Sequence, residues 1–142
     1  MLLNEFFPKL NASNHRITSD PTGEYNCIAW AAGCSDKWWD PIPNPRYFWP
    51  KDIPPSDSVE TLCRTFESLG YTKTENEIYE QGFEKVAIYG DQVGFTHAAR
   101  QLPTGKWTSK LGDWEDIEHD TLEALEGEFY GKAVQILKRA VT

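Results

Sequence analysis

The sequence predicts an α+β fold in a single domain. Three observations point there. A short helix-start pattern comes early, at Asn26-Cys27-Ile28-Ala29-Trp30-Ala31. A longer run with helical spacing follows at Val59, Leu62, Cys63, Phe66 and Leu69, and strand-like segments then occupy the chain from Phe83 onward. Helices grouped ahead of strands, rather than alternating with them, favour an antiparallel sheet of about four strands with helices packed on it. A chain of 142 residues suits one domain with a real core.

Hydrophobic residues at 39% and charged residues at 25% fit a folded chain rather than a disordered one. The net charge of −8, from 14 basic and 22 acidic residues, argues against nucleic acid or an anionic membrane as the main partner. The start, Met1 to Phe7, lacks the basic residues and long apolar run of a signal peptide, and no stretch is long enough to span a bilayer. A cytoplasmic location is therefore expected. Three cysteines without C-x-x-C spacing suggest neither a disulfide framework nor a zinc site, and no cofactor is implied.

Residues 1–24 read as an N-terminal arm that ends in the turn Asp20-Pro21-Thr22-Gly23. Asn26 then caps a helix in which Cys27 is the first residue, and Gly33 stands where a left-handed stop belongs. Residues 34–56 interleave rings with prolines, as in Trp38-Trp39-Asp40-Pro41, which forbids a long helix or an interior strand. These rings either plug the outside of the core or, with Trp30, wall a substrate cleft beside Cys27. Asp57 and Glu60 have the spacing of a capping box, Gly70 ends the second helix, and Cys63 falls on its apolar face as inert core. A short strand or loop is expected near Tyr71-Thr72. Lys85–Tyr89, Gly94–Leu102 and Lys106–Leu111 form an antiparallel meander, the last two joined by Pro103-Thr104-Gly105. Asp113 to Glu118 reads as an acidic turn and Thr121 to Gly127 as a short helix. Lys132 to Lys138 reads as a final strand, with a terminal helix as the alternative.

A cysteine in the first turn of a helix meets unpaired N–H groups and a partial positive charge, both of which favour the thiolate. A base is supplied by His97. With a three-residue loop at 103–105, Leu102 faces Lys106 and Ala99 faces Ser109. Phe95, His97, Ala99 and Gln101 then share a face with Trp107 and Ser109, and Ser109 becomes the diagonal neighbour of His97. Lys110 points to the other face, and a one-residue slip would exchange it with Ser109. A thiol, an imidazole and a third polar group are what nucleophilic attack on a carbonyl needs. The third group is Ser109, with Lys110, Asp113 and His119 as alternatives. Asn26 and Tyr25 are both candidates for a second oxyanion donor beside the Cys27 N–H. No spacing brings His97, His119 and an aspartate together as a metal set.

At these residues the sequence resembles the papain-like cysteine hydrolases. Asn26-Cys27-Ile28-Ala29-Trp30-Ala31 is similar to the cysteine segment, Thr96-His97-Ala98-Ala99 to the histidine strand, and Trp107-Thr108-Ser109-Lys110-Leu111-Gly112 to the third strand, where Ser109 stands in place of papain's asparagine. The Ser109–Gly112 run followed by His119 also resembles papain-fold domains of bacterial polymorphic toxins and related uncharacterised bacterial proteins. The likeness spans residues 25–120. It implies a papain-like fold and a cysteine nucleophile but not a substrate; the activity expected of this chain is hydrolysis or transfer at an amide bond of a protein or peptide. The clan holds peptidases, amidases, deamidases and transferases, so the fold does not select among them. The rival expectation is a papain-fold binding or immunity-type module without catalysis, which uses the aromatic-proline loop as a contact surface.

Overall fold

The computed structural model describes residues 3–41 and 47–141. Three helices are α1 (Leu3–Phe6), α2 (Cys27–Ala31) and α3 (Val59–Glu67). The strands are β1 (His15–Ile17), β2 (Trp38–Trp39), β3 (Tyr47–Phe48), β4 (Thr72–Thr74), β5 (Phe83–Gly90), β6 (Phe95–Gln101), β7 (Trp107–Lys110), β8 (Asp116–His119) and β9 (Lys132–Ala140). Seven of them form one sheet in the order β1-β8-β7-β6-β5-β9-β4, every adjacent pair antiparallel. The α+β class is as expected, but the sheet has seven strands rather than about four. No helix among the described residues is long and apolar enough to cross a membrane.

The extra strands come from segments whose polar residues conceal them. β8 lies in the stretch expected as an acidic turn, where Asp116, Ile117 and His119 are all buried. The N-terminal arm supplies the edge strand β1, which pairs with β8 from His15↔His119 to Ile17↔Ile117. The same arm places Leu3, Phe7 and Leu10 in the core. The loop at 34–56 contains a two-stranded parallel ribbon, Trp38↔Tyr47 and Trp39↔Phe48; its Pro43-Asn44-Pro45 portion lies outside the described residues. The helix expected at Thr121–Gly127 is a single 3-10 turn, Glu123–Leu125, and the final segment is a strand.

Both faces of the sheet are covered. On one, α2 and α3 bury Ile28, Ala29, Leu62, Cys63 and Phe66 against Val86, Ile88, Ala98 and Leu137. On the other, Phe7, Leu10, Leu122, Leu125 and Tyr130 pack on Ala87, Tyr89, Ala99, Trp107 and Ile117. A doubly covered strand reads as a continuous apolar run, which is why Val86-Ala87-Ile88-Tyr89 does not alternate. Side chains such as Leu62 and Phe66, both fully buried, each contribute about 2 kcal/mol. The α3 cap is Ser58, whose hydroxyl accepts from the Thr61 N–H at 3.1 Å; it is not Asp57. The Asp57 carbonyl instead accepts the Phe95 N–H at 2.8 Å and pins the start of β6, the strand that carries His97. Phe95 packs with the helix-covered core, on the face opposite Ala99, because the β5–β6 register shifts at Tyr89/Gly90. It does not share a face with His97 as expected.

Gly94 lies at this pinned start. A Cβ there would stand 2.1 Å from the Asp57 carbonyl oxygen, whereas one at Gly23 would meet nothing within 4 Å. Gly94→Ala should therefore lower the unfolding free energy by about 2 kcal/mol or more, and Gly23→Ala should leave it nearly unchanged, both measured by urea denaturation.

Candidate functional site

Helix α2 has only five residues, too few to hold itself together in water. It is held by Asn26. The side-chain oxygen of Asn26 accepts from the Ala29 N–H at 3.2 Å and from the Trp39 N–H at 3.1 Å, while its amide nitrogen donates to the Trp39 carbonyl at 2.6 Å. One side chain thus caps the helix and fastens the aromatic ribbon to it. Asn26 is engaged by this clamp, and Tyr25 is engaged as well. The Tyr25 hydroxyl donates to Asp116 Oδ2 at 2.6 Å, and its ring stacks on Trp30 at 5.3 Å. Trp30 donates its indole N–H to Thr108 Oγ1 at 2.9 Å and lies under the Arg100 guanidinium. Trp38 is half-buried against Tyr47, and Trp39 is buried against Phe48. Gly33 has φ 85° and ends α2 as the sequence implies.

The thiol of Cys27 lies where two strands part. The β6–β7 ladder runs only through Gln101↔Trp107 and Arg100↔Thr108. Alternation makes Ala98 the next β6 residue whose N–H points toward β7, and that N–H meets the Cys27 thiol. The N–H groups of Cys27 and Ile28 also face the sulfur. All three favour the thiolate, but burial outweighs them, and with Asp40 nearby the thiol pKa is pushed up to about 11. The depressed value expected of a helix-start cysteine is not what the site holds. A five-residue helix has few peptide dipoles to set against the loss of water.

His97 and Ser109 are brought together as the hairpin register implies. His97 Nε2 lies 2.9 Å from Ser109 Oγ, and both residues are fully buried. Ser109 Oγ also lies 2.8 Å from His119 Nε2, and His119 Nδ1 lies 2.8 Å from the Thr121 carbonyl. A chain of hydrogen bonds therefore crosses β6, β7 and β8. The Tyr130 ring stacks on His97, with centroids 4.2 Å apart and planes 7° apart, and Thr96 Oγ1 donates to the Tyr130 carbonyl at 2.5 Å. Burial holds the His97 pKa well below the ordinary histidine value, and burial brings His119 down to about 4.

Among the described residues no hydrogen bond joins Cys27 to His97, and His97 Nδ1 has no partner. The imidazole alternates to the sheet face opposite Ala98, whereas Cys27 arrives from the helix-covered face. Lys110 is on the helix side, as the register implies. Its ammonium is buried over the Tyr25 ring and donates to the Thr22 carbonyl at 2.8 Å and to the Trp114 carbonyl. Asp113 is exposed. The sequence offers His119 only as an alternative to Ser109 and does not point to Tyr130. The signal for His119 is its place in a strand that pairs with β7, but the acidic residues of β8 have the pattern of a turn.

Fold and site together define an α+β protein with a seven-stranded antiparallel sheet and a thiol at the gap between two central strands. The chain belongs to a domain family of unknown function, DUF7689, whose model matches residues 16–138 and so takes in the sheet from β1 into β9. No curated protein and no solved structure matches it.

Two outcomes follow from the titrating groups. Between pH 6.5 and about 4, an unfolded chain protonates His119 while the folded one does not, so stability falls as the pH drops through that window. The loss is about 3 kcal/mol for this residue, and His97 adds to it. Urea midpoints across the window should show the decline, and His119→Gln should flatten it. A thiol pKa of about 11 leaves about one Cys27 thiol in a thousand ionised at pH 8. Its alkylation rate should therefore keep rising past pH 10, as read by peptide mass.

Proposed function

We propose that this protein is a papain-like cysteine-dependent hydrolase or transferase acting on an amide bond of a protein or peptide. The observation that carries the reading is the contact of the Cys27 thiol with the Ala98 N–H, one residue from a His97 whose Nδ1 has no partner among the described residues. Cys27 Sγ attacks the carbonyl carbon and its proton passes to His97 through the gap where β6 and β7 part, a transfer that needs the two side chains to close from the opposite faces they occupy at rest. The C–N bond then breaks, His97 returns the proton to the leaving amine, and an S-acyl enzyme remains for water or an acceptor amine to resolve. Ser109 holds the far side of the imidazole. The N–H groups of Cys27 and Ile28 suit the oxyanion that forms during attack. Because thiol and imidazole are both neutral at rest, His97 must act in the same step as the attack.

A second reading is a non-catalytic interaction module. It is favoured by the complete burial of His97 and Ser109 beneath Tyr130, and by a ribbon that exposes Phe48 under the Lys37 ammonium.

Peptidyl vinyl sulfones, with adducts mapped by mass spectrometry, separate the two. The catalytic reading expects a Cys27 adduct whose formation slows by about 10²-fold or more in His97→Gln, with the folded state checked by circular dichroism. Absence of labelling in the folded parent, or labelling indifferent to His97, would overturn it and leave the interaction module.

A further inference from the structure

We infer that His119 is a positioning residue that sets, through Ser109, which nitrogen of His97 is basic. The inference deepens the reading of His97 as a base and rests on it for its functional meaning, but its geometry stands on three distances. His119 Nδ1 lies 2.8 Å from the Thr121 carbonyl, Ser109 Oγ lies 2.8 Å from His119 Nε2, and His97 Nε2 lies 2.9 Å from Ser109 Oγ.

A carbonyl oxygen only accepts, so His119 Nδ1 carries a hydrogen. A neutral His119 then has a bare Nε2. Ser109 owns a single hydroxyl hydrogen, and it goes to that lone pair. With its hydrogen committed, the Ser109 oxygen offers only lone pairs to His97, so His97 Nε2 must be the donor. This leaves Nδ1 as the one basic nitrogen of a neutral His97, and among the described residues that atom has no partner.

The opposite arrangement sends the Ser109 hydrogen to His97 Nε2 and places the His97 hydrogen on Nδ1. It requires a doubly protonated, charged His119 in a fully buried position. Burial holds His119 neutral down to about pH 4, which supports the first arrangement. A serine between two imidazoles thus relays the hydrogen-bond direction set by a main-chain carbonyl. An asparagine or aspartate in the third position would set it directly.

The test is the tautomer of His97, read from long-range 15N–1H correlations of histidine-labelled protein at neutral pH. The parent should show a pyrrole-type Nε2 and a pyridine-type Nδ1. In His119→Leu the Ser109 hydroxyl is freed to donate to His97, so the two nitrogen types should exchange or average. In His119→Gln the side-chain oxygen can accept from Ser109 and should restore the parent pattern. A parent with a pyrrole-type Nδ1, or a His119→Leu protein with the parent tautomer, would overturn the inference. Should His119→Leu fail to fold, the parent spectrum still decides. The spectra need no substrate, so they separate this inference from the catalytic reading. Where turnover exists, His119→Leu should lower kcat by about 10²-fold or more with KM little changed, and His119→Gln should recover most of it.

Discussion

The constraint that governs this structure is a sheet covered on both faces by a chain of modest size. Polar groups caught beneath the covers have no water and must find partners inside the protein. The partners are mostly main-chain carbonyls of the loops. Lys85, 1% exposed, donates to the carbonyls of Asn76 and Ile78, each at 2.6 Å, and pairs with Glu80. Lys110 does the same with Thr22 and Trp114. Gln101 donates to the carbonyls of Glu77 and Gly105. Each buried head group ties a loop to the sheet, so loops without regular structure are still fixed in place.

The candidate site follows from the same constraint. Three of the buried polar groups, His97, Ser109 and His119, lie on adjacent strands and hydrogen-bond in a chain that leaves only His97 Nδ1 unpaired among their side-chain atoms in the described residues. Another, Asp116, takes the hydroxyl of Tyr25 and so anchors the residues just before α2. Asn26 anchors the start of that helix to the ribbon. The position of the Cys27 thiol is thus set by contacts on either side of it rather than by the helix that carries it. Where the β6–β7 ladder ends, the sheet leaves an N–H that the thiol takes up.

The parts of this arrangement that sequence could reach are those governed by short-range rules. The cap at Asn26, the stop at Gly33, the helical spacing of α3 and the hairpin register that sets Ser109 beside His97 all depend on neighbours in the chain. What could not be reached depends on partners far away. β8 carries Asp116 and His119, poor strand formers, and is a strand because Tyr25 and Ser109 satisfy them. β1 is three residues of mixed polarity that exist only as an edge on β8. The thiol pKa departs from the sequence expectation for a related reason. The helix start is visible in sequence, but the burial that outweighs it comes from the tertiary fold.

On the proposed catalytic reading, this burial decides how the chemistry runs. Moving a proton from a thiol of pKa about 11 to an imidazole held well below 6.5 costs more than about 6 kcal/mol before the charges attract. Even at a separation of about 4 Å, attraction between the two ions would repay only about 4 kcal/mol with an effective dielectric of 20. The neutral pair therefore wins at rest, and a preformed thiolate–imidazolium pair is not the ground state. Attack on a carbonyl changes this balance, because the negative charge moves off sulfur onto the oxygen. The helix-start N–H groups that fail to ionise the half-buried thiol then become counterparts for the oxyanion. Such a site resembles a serine hydrolase in its energetics, with proton transfer and bond formation coupled, and a substrate is needed to create the charge that the site is built to hold.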